Sequence, residues 1–209
     1  MKKLFLLIGI ISMTFIGYSQ EDGKGTIDAQ RPTLTESYSI IKTDMIQFEN
    51  GLDYLGNSDT FGYGTFIRGS VSDRVELRVF TDYRNFNSVG GKFIVMEPDK
   101  FGVGASFVAN YNFVRNSTDF RVAMTKDFGK VFTTYNLGYN GDIYNILLIG
   151  VPIGDKWSWI GEYYNDPNMN RLHTAIAWIP QRDIQLDVNG GWMDTDEWYT
   201  GLGVSFRLR

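Results

Sequence analysis

The 209 residues carry 20 Lys and Arg against 24 Asp and Glu, one histidine and no cysteine. An acidic chain without a basic run lacks the face a nucleic-acid partner requires, and no disulfide framework is available. Aromatic residues make up 15% of the chain beside 23 glycines and only five prolines, a composition suited to strands that are apolar on one side only.

Lys2 and Lys3 precede an apolar run from Leu4 to Ile16, and Gly17-Tyr18-Ser19 puts small residues before Gln20. That pattern predicts a secretory signal peptide over residues 1–19. The run is shorter than the ~20 residues a spanning helix needs. Loss of Lys2 and Lys3 takes the formal charge from −4 to −6. No later apolar run reaches the ~18 residues of a transmembrane helix.

Residues 20–44 form a polar leader holding Arg31, Pro32, Thr35, Glu36 and Ser37. It is either a disordered periplasmic segment or one that folds against the mouth of the following domain or enters its lumen. If it occludes the lumen, deleting residues 21–40 raises leakage.

From residue 45 the chain alternates at period two. Phe101, Val103, Ala105, Phe107, Ala109, Tyr111 and Phe113 share one face, with Gly102, Gly104, Ser106, Val108, Asn110 and Asn112 on the other. Trp198, Thr200, Leu202, Val204, Phe206 and Leu208 oppose Tyr199, Gly201, Gly203, Ser205, Arg207 and Arg209. Successive side chains of a strand point to opposite faces, and no helical stripe has this period. Gly, Asn and Asp turn clusters separate such segments. The expected strands are 45–55, 60–71, 74–85, 90–96, 101–114, 118–127, 131–140, 143–152, 157–165, 171–179, 184–193 and 197–209. The fourth is short, and Leu147-Leu148-Ile149 breaks the alternation of the eighth. The longest outer loops are expected at residues 85–91 and 165–170.

The predicted fold is all-β: a transmembrane antiparallel up-and-down β-barrel of twelve strands, or ten if the fourth and eighth fail. A soluble barrel turns its charges outward to water. Here Gly, Ser and Asn dominate the polar face, where they leave room on an inner wall. Trp157, Trp159, Trp192, Trp198, Tyr54 and Tyr83 lie near strand ends on the apolar face, as in interfacial girdles. The location implied is a bacterial outer membrane, with membrane lipid and small solutes as partners and no nucleic acid.

Two stretches carry a resemblance. Arg31-Pro32-Thr33-Leu34-Thr35-Glu36-Ser37, followed by Met45-Ile46-Gln47-Phe48-Glu49-Asn50-Gly51-Leu52-Asp53-Tyr54, resembles the start of the phenol meta-cleavage-pathway transporter-like outer-membrane proteins. Ser72 to Arg78 and Asn145 to Tyr163 resemble later hairpins of that family. The resemblance implies an outer-membrane transporter. It implies neither phenol as substrate nor a catalytic motif.

The polar face predicts the lumen lining: Glu49, Asp53, Glu76, Asp82, Asp119, Glu162 and Asp187 against Arg68, Arg78, Arg84, Lys92, Arg121 and Arg207. Such charges either sort solutes in a pore or pair into a network that closes the lumen. The expected function is passive passage of small solutes. The alternatives are a closed structural or interaction barrel and, resting on His173 alone, a lipid-modifying enzyme. His173 has no Ser or Asp partner fixed by spacing. Its face, Ala175, Ala177 and Ile179, reads no more clearly as lumen than as lipid, and a lone His near a strand end is more often a rim or girdle residue. No catalytic residue, cofactor or metal site is expected, because first-row metals want several His or Cys ligands.

Overall fold

The computed structural model describes residues 27–82, 86–98 and 101–209. The expected signal peptide, Tyr83 and Arg84 lie outside them. Twelve strands form one closed barrel: β1 (Ile46–Leu55), β2 (Thr60–Ser72), β3 (Val75–Thr81), β4 (Phe86–Met96), β5 (Val103–Asn112), β6 (Ser117–Asp127), β7 (Phe132–Tyr139), β8 (Ile143–Ile153), β9 (Trp157–Asn165), β10 (Asn170–Gln181), β11 (Ile184–Met193) and β12 (Glu197–Leu208). Each strand pairs antiparallel with its sequence neighbours, and β1 closes on β12 with Ile46 opposite Leu208. The first strand therefore begins, and the last ends, on one rim.

Alternation sets the faces. Leu52, Leu77, Val122, Leu137, Leu147, Val188 and Leu202 point outward, each more than 40% exposed. A water-facing band this apolar would drive association, whereas in hydrocarbon it is the surface a spanning barrel must present. Four outward tyrosines mark the rim away from the termini. Tyr54 reaches Asp59 at 3.0 Å and Tyr163 reaches Asn170 at 2.7 Å, while Tyr111 and Tyr135 bond Asn116 and Asn145. Each ring stays in the apolar band while its hydroxyl meets polar rim groups. Trp157, Trp192 and Trp198 are exposed at strand ends.

Two expectations need correction. The segment expected as an outer loop over 85–91 is strand from Phe86 onward. Small residues there hide the alternation, but Val89 pairs with Val79 and Tyr111, and Gly91 with Leu77 and Ala109. The fifth strand starts two residues late, because Gly102 sits in the left-handed region (φ 68°) that ends the preceding turn. The eighth strand runs its full length. Leu148 breaks the pattern because it points inward, packing with Ile160 and Ala175. Tyr144, Ile146 and Tyr164 form a second apolar cluster on the same wall.

The lumen wall and the leader

The inward faces of β1 to β4 carry a continuous ion network. Arg68 on β2 donates to Glu49 on β1 at 2.8 Å and, through two nitrogens, to Glu76 on β3 at 3.0 Å. Arg78, two residues along β3, donates its Nε to Glu76 at 2.8 Å. Its two terminal nitrogens each meet Glu36 of the leader at 2.7 Å, and Lys92 on β4 lies 3.4 Å from the same carboxylate. All five wall residues are at most 1% exposed. Three carboxylates face three cations, so the cluster is neutral only with Glu36 included. Removing water from charges is expensive, and such a cluster persists only when every member is paired.

Glu36 lies on a chain segment that runs up into the barrel and returns. Ile27 N–H donates to the Arg182 carbonyl at the terminal rim. The Asp28 carbonyl accepts from Arg68 and Gln47 at 2.9 and 3.0 Å. Arg31 N–H donates to Glu49 at 2.8 Å, and the Arg31 carbonyl accepts from Gln185 at 3.0 Å. Pro32 is buried. Thr33 and Ser37 close a turn on Gln30, with Thr33 Oγ1 2.7 Å from the Gln30 carbonyl. At the far side, Glu162 accepts from Leu34 N, Thr35 N and Thr35 Oγ1 at 3.0, 2.8 and 2.5 Å. Arg121 donates to the Leu34 carbonyl at 2.6 Å. The Asn136 amide clamps Glu36, accepting from its N–H at 2.7 Å and donating to its carbonyl at 2.8 Å. Tyr38 N meets Thr125 at 3.1 Å, and Ile41 N meets Glu76 at 2.9 Å. Thr43 then bridges Ser70 beside the start of β1. Burial alone would raise the Glu36 carboxyl, but Arg78 first and Lys92 next hold it well below the usual carboxylate range.

Glycines on the wall make room for this segment. A Cβ at Gly51 would overlap the Arg31 guanidinium, and one at Gly104 the Tyr38 ring. Asp53 and Asp187 flank Arg31 at 3.7 Å each. Asp119 and Arg121 pair at 3.4 Å, with the Tyr144 hydroxyl bonded to both. Arg207 pairs with Asp183 at 2.6 Å near the terminal rim, next to the Arg182 carbonyl that holds Ile27. Asp82 lies one residue past β3 and is half-buried.

His173 is neither rim nor girdle. It points inward at 5% exposure, its Nδ1 2.6 Å from the Tyr199 hydroxyl, whose ring lies under Arg171 at 4.2 Å. Its neighbours Ala175 and Ala177 are too small to reveal their side from sequence. The uncharged Gln47, Ser106, Thr125, Asn136 and Gln185 also point inward, although charge does not single them out. Their signal was position alone: each falls on the polar parity of its strand.

The wall charges are unevenly placed. Between the rims, β2 to β6 present Arg68, Arg78, Lys92 and Arg121 against Glu76 and Asp119. The wall from β9 through β12 to β1 presents Glu49, Asp53, Glu162 and Asp187 against Arg171 and Arg207. The leader's Glu36 meets the basic side, and its Arg31 the acidic side.

No family model and no curated protein matches the sequence. Solved structures do share the fold. The KdgM porin superposes with a TM-score of 0.61 at 8% identity, over 78% of this chain and 99% of that one. The NanC porin gives 0.60 at 12% identity, over 77% and 100%. The outer-membrane protein Omp33 of Acinetobacter baumannii gives 0.53 at 9% identity, over 78% and 98%.

Proposed function

We propose that the protein is an outer-membrane channel for small solutes, with residues 27–43 as its internal plug. One observation carries this reading: the lumen admits a stretch of polypeptide and holds it on polar and charged wall side chains. A barrel closed for structural purposes alone would fill its interior with its own side chains. Here a separable segment does much of the filling, so its movement would open a polar path. The porin fold supports the channel class but names no solute. The motifs resembling the phenol meta-cleavage-pathway transporter-like proteins point the same way, and rest on the residues quoted, since no family model matches. None of the roles proposed for the lumen residues is catalytic: the wall binds, orients and excludes.

The test is single-channel recording of the refolded mature protein in a planar bilayer, with folding confirmed by a heat-dependent gel shift. Discrete steps, more frequent in Glu36→Gln than in the wild type, are expected. A folded barrel that is silent in both forms would sink the channel reading.

A further inference from the structure

The plug shows what chemistry the lumen accepts. Eight of its backbone positions, at residues 28, 31, 34, 35, 36, 37, 38 and 41, bond wall side chains through a peptide N–H, a carbonyl or both. Asn136 takes the N–H and carbonyl of one residue together, as a neighbouring strand would. Side chains offering both acceptors and donors to successive peptide groups suit an extended backbone better than a hydrocarbon or a purely anionic solute. Of the four charged side chains of the plug, Arg31 and Glu36 lie five residues apart at its inner turn and meet walls of opposite sign.

Resting on the channel reading above, we infer that the solute class is short peptides carrying a basic and an acidic side chain, and that the plug is an internal mimic of that solute. A peptide of this kind finds the Asp53–Asp187 side for its cation and the Arg78–Lys92 side for its carboxylate, and it competes with Arg31 and Glu36 for them. A neutral oligosaccharide of equal length offers no charge to either wall. A peptide bearing only one sign satisfies one wall and leaves the other facing an unpaired charge.

The experiment uses the full mature chain with R31Q/E36Q, which loosens the plug without removing it, and a heat-shift gel to establish folding. The probe is a synthetic peptide of residues 31–37 added to the conducting barrel. It should block the current at a concentration about tenfold or more below that of the same peptide with Gln in place of Arg and Glu, since each charge-assisted pair lost weakens binding. Maltoheptaose should not block. Equal block by the charged and uncharged peptides, or block by the sugar, would overturn the inference and leave the channel standing. A folded barrel without current in wild-type and variant forms would overturn both. Should R31Q/E36Q not fold, E36Q alone serves for the same comparison.

Discussion

The two sides of the lumen hold the leader in different ways. On β1 to β4, Glu36 joins a buried, neutral cluster at hydrogen-bond distances of 2.7 Å. On β11, β12 and β1, Arg31 meets Asp53 and Asp187 only at 3.7 Å. That side also contains buried polar atoms with no hydrogen-bond partner among the described residues: Arg31 Nε, both Asp187 carboxylate oxygens, Asn189 Nδ2 and His173 Nε2. The descending limb, Glu36 to Thr43, is thus latched through a side-chain ion cluster. The ascending limb, Ile27 to Thr33, is held through its backbone by Arg68, Gln47, Glu49 and Gln185, and its Arg31 side chain is the looser contact.

Removing the segment altogether abolishes the difference and has the largest expected effect. Deletion of residues 21–40 should raise bilayer conductance severalfold, measured beside the intact chain. Current no higher than that of the intact chain, from a barrel that still shows a heat shift, would mean that the leader does not occlude the path.

The latch side breaks next. Arg78→Ala strips Glu36 and Glu76 of a shared partner, and stranding buried charges costs about 3–5 kcal/mol. Lower resistance to guanidinium and faster proteolysis between residues 27 and 43 are expected together. Protection of the leader equal to wild type would place the latch elsewhere. The loose side should respond less. Arg31→Gln gives up ion pairs at 3.7 Å, longer than the 2.7 Å contacts that Arg78 makes to Glu36, so it removes the weaker attachment. Gly51→Val reaches the same side without touching charge, by crowding the guanidinium. Both should raise the opening frequency while lowering the denaturation midpoint less than Arg78→Ala does. A midpoint loss matching that of Arg78→Ala would erase the distinction between the sides.

Much of this contrast was hidden in the sequence for identifiable reasons. Strict alternation made β5, β11 and β12 legible, because one face must meet lipid while the other does not. It also placed Glu49, Arg68, Glu76, Arg78 and Lys92 inward as a set. It could not say that these five share one cluster, since that depends on register across four strands. The charge count, nearly balanced over the whole chain, concealed its division between two walls. β4 was read short because Asn87, Ser88, Gly90 and Gly91 carry no hydropathy signal; only their pairing with β3 and β5 defines them. The leader's Arg and Glu were visible as a motif, but their opposite attachments were not.

The smallest effect expected is a null one, and it tests the latch most specifically. Glu36 is ordinarily a group of pKa 4.5, and in the folded chain it is held well below that by Arg78 and Lys92. A carboxyl lowered by folding contributes stability that is complete above its ordinary value. That stability is lost only as pH falls through its own, lower value. From pH 7 down to about pH 4, then, Glu36 stays ionised and the latch stays shut, so wild-type conductance should be flat over that window. Arg78→Ala removes the strongest of the charges holding the carboxyl down and leaves Lys92 as its nearest cation, so its pKa rises toward the ordinary value. In that variant, conductance should climb as pH falls through the carboxylate range, while Arg31→Gln should remain as flat as wild type. Parallel pH titrations of the three forms in planar bilayers distinguish these outcomes. A wild-type barrel that opens between pH 6 and 5 would show that a group other than Glu36 governs closure.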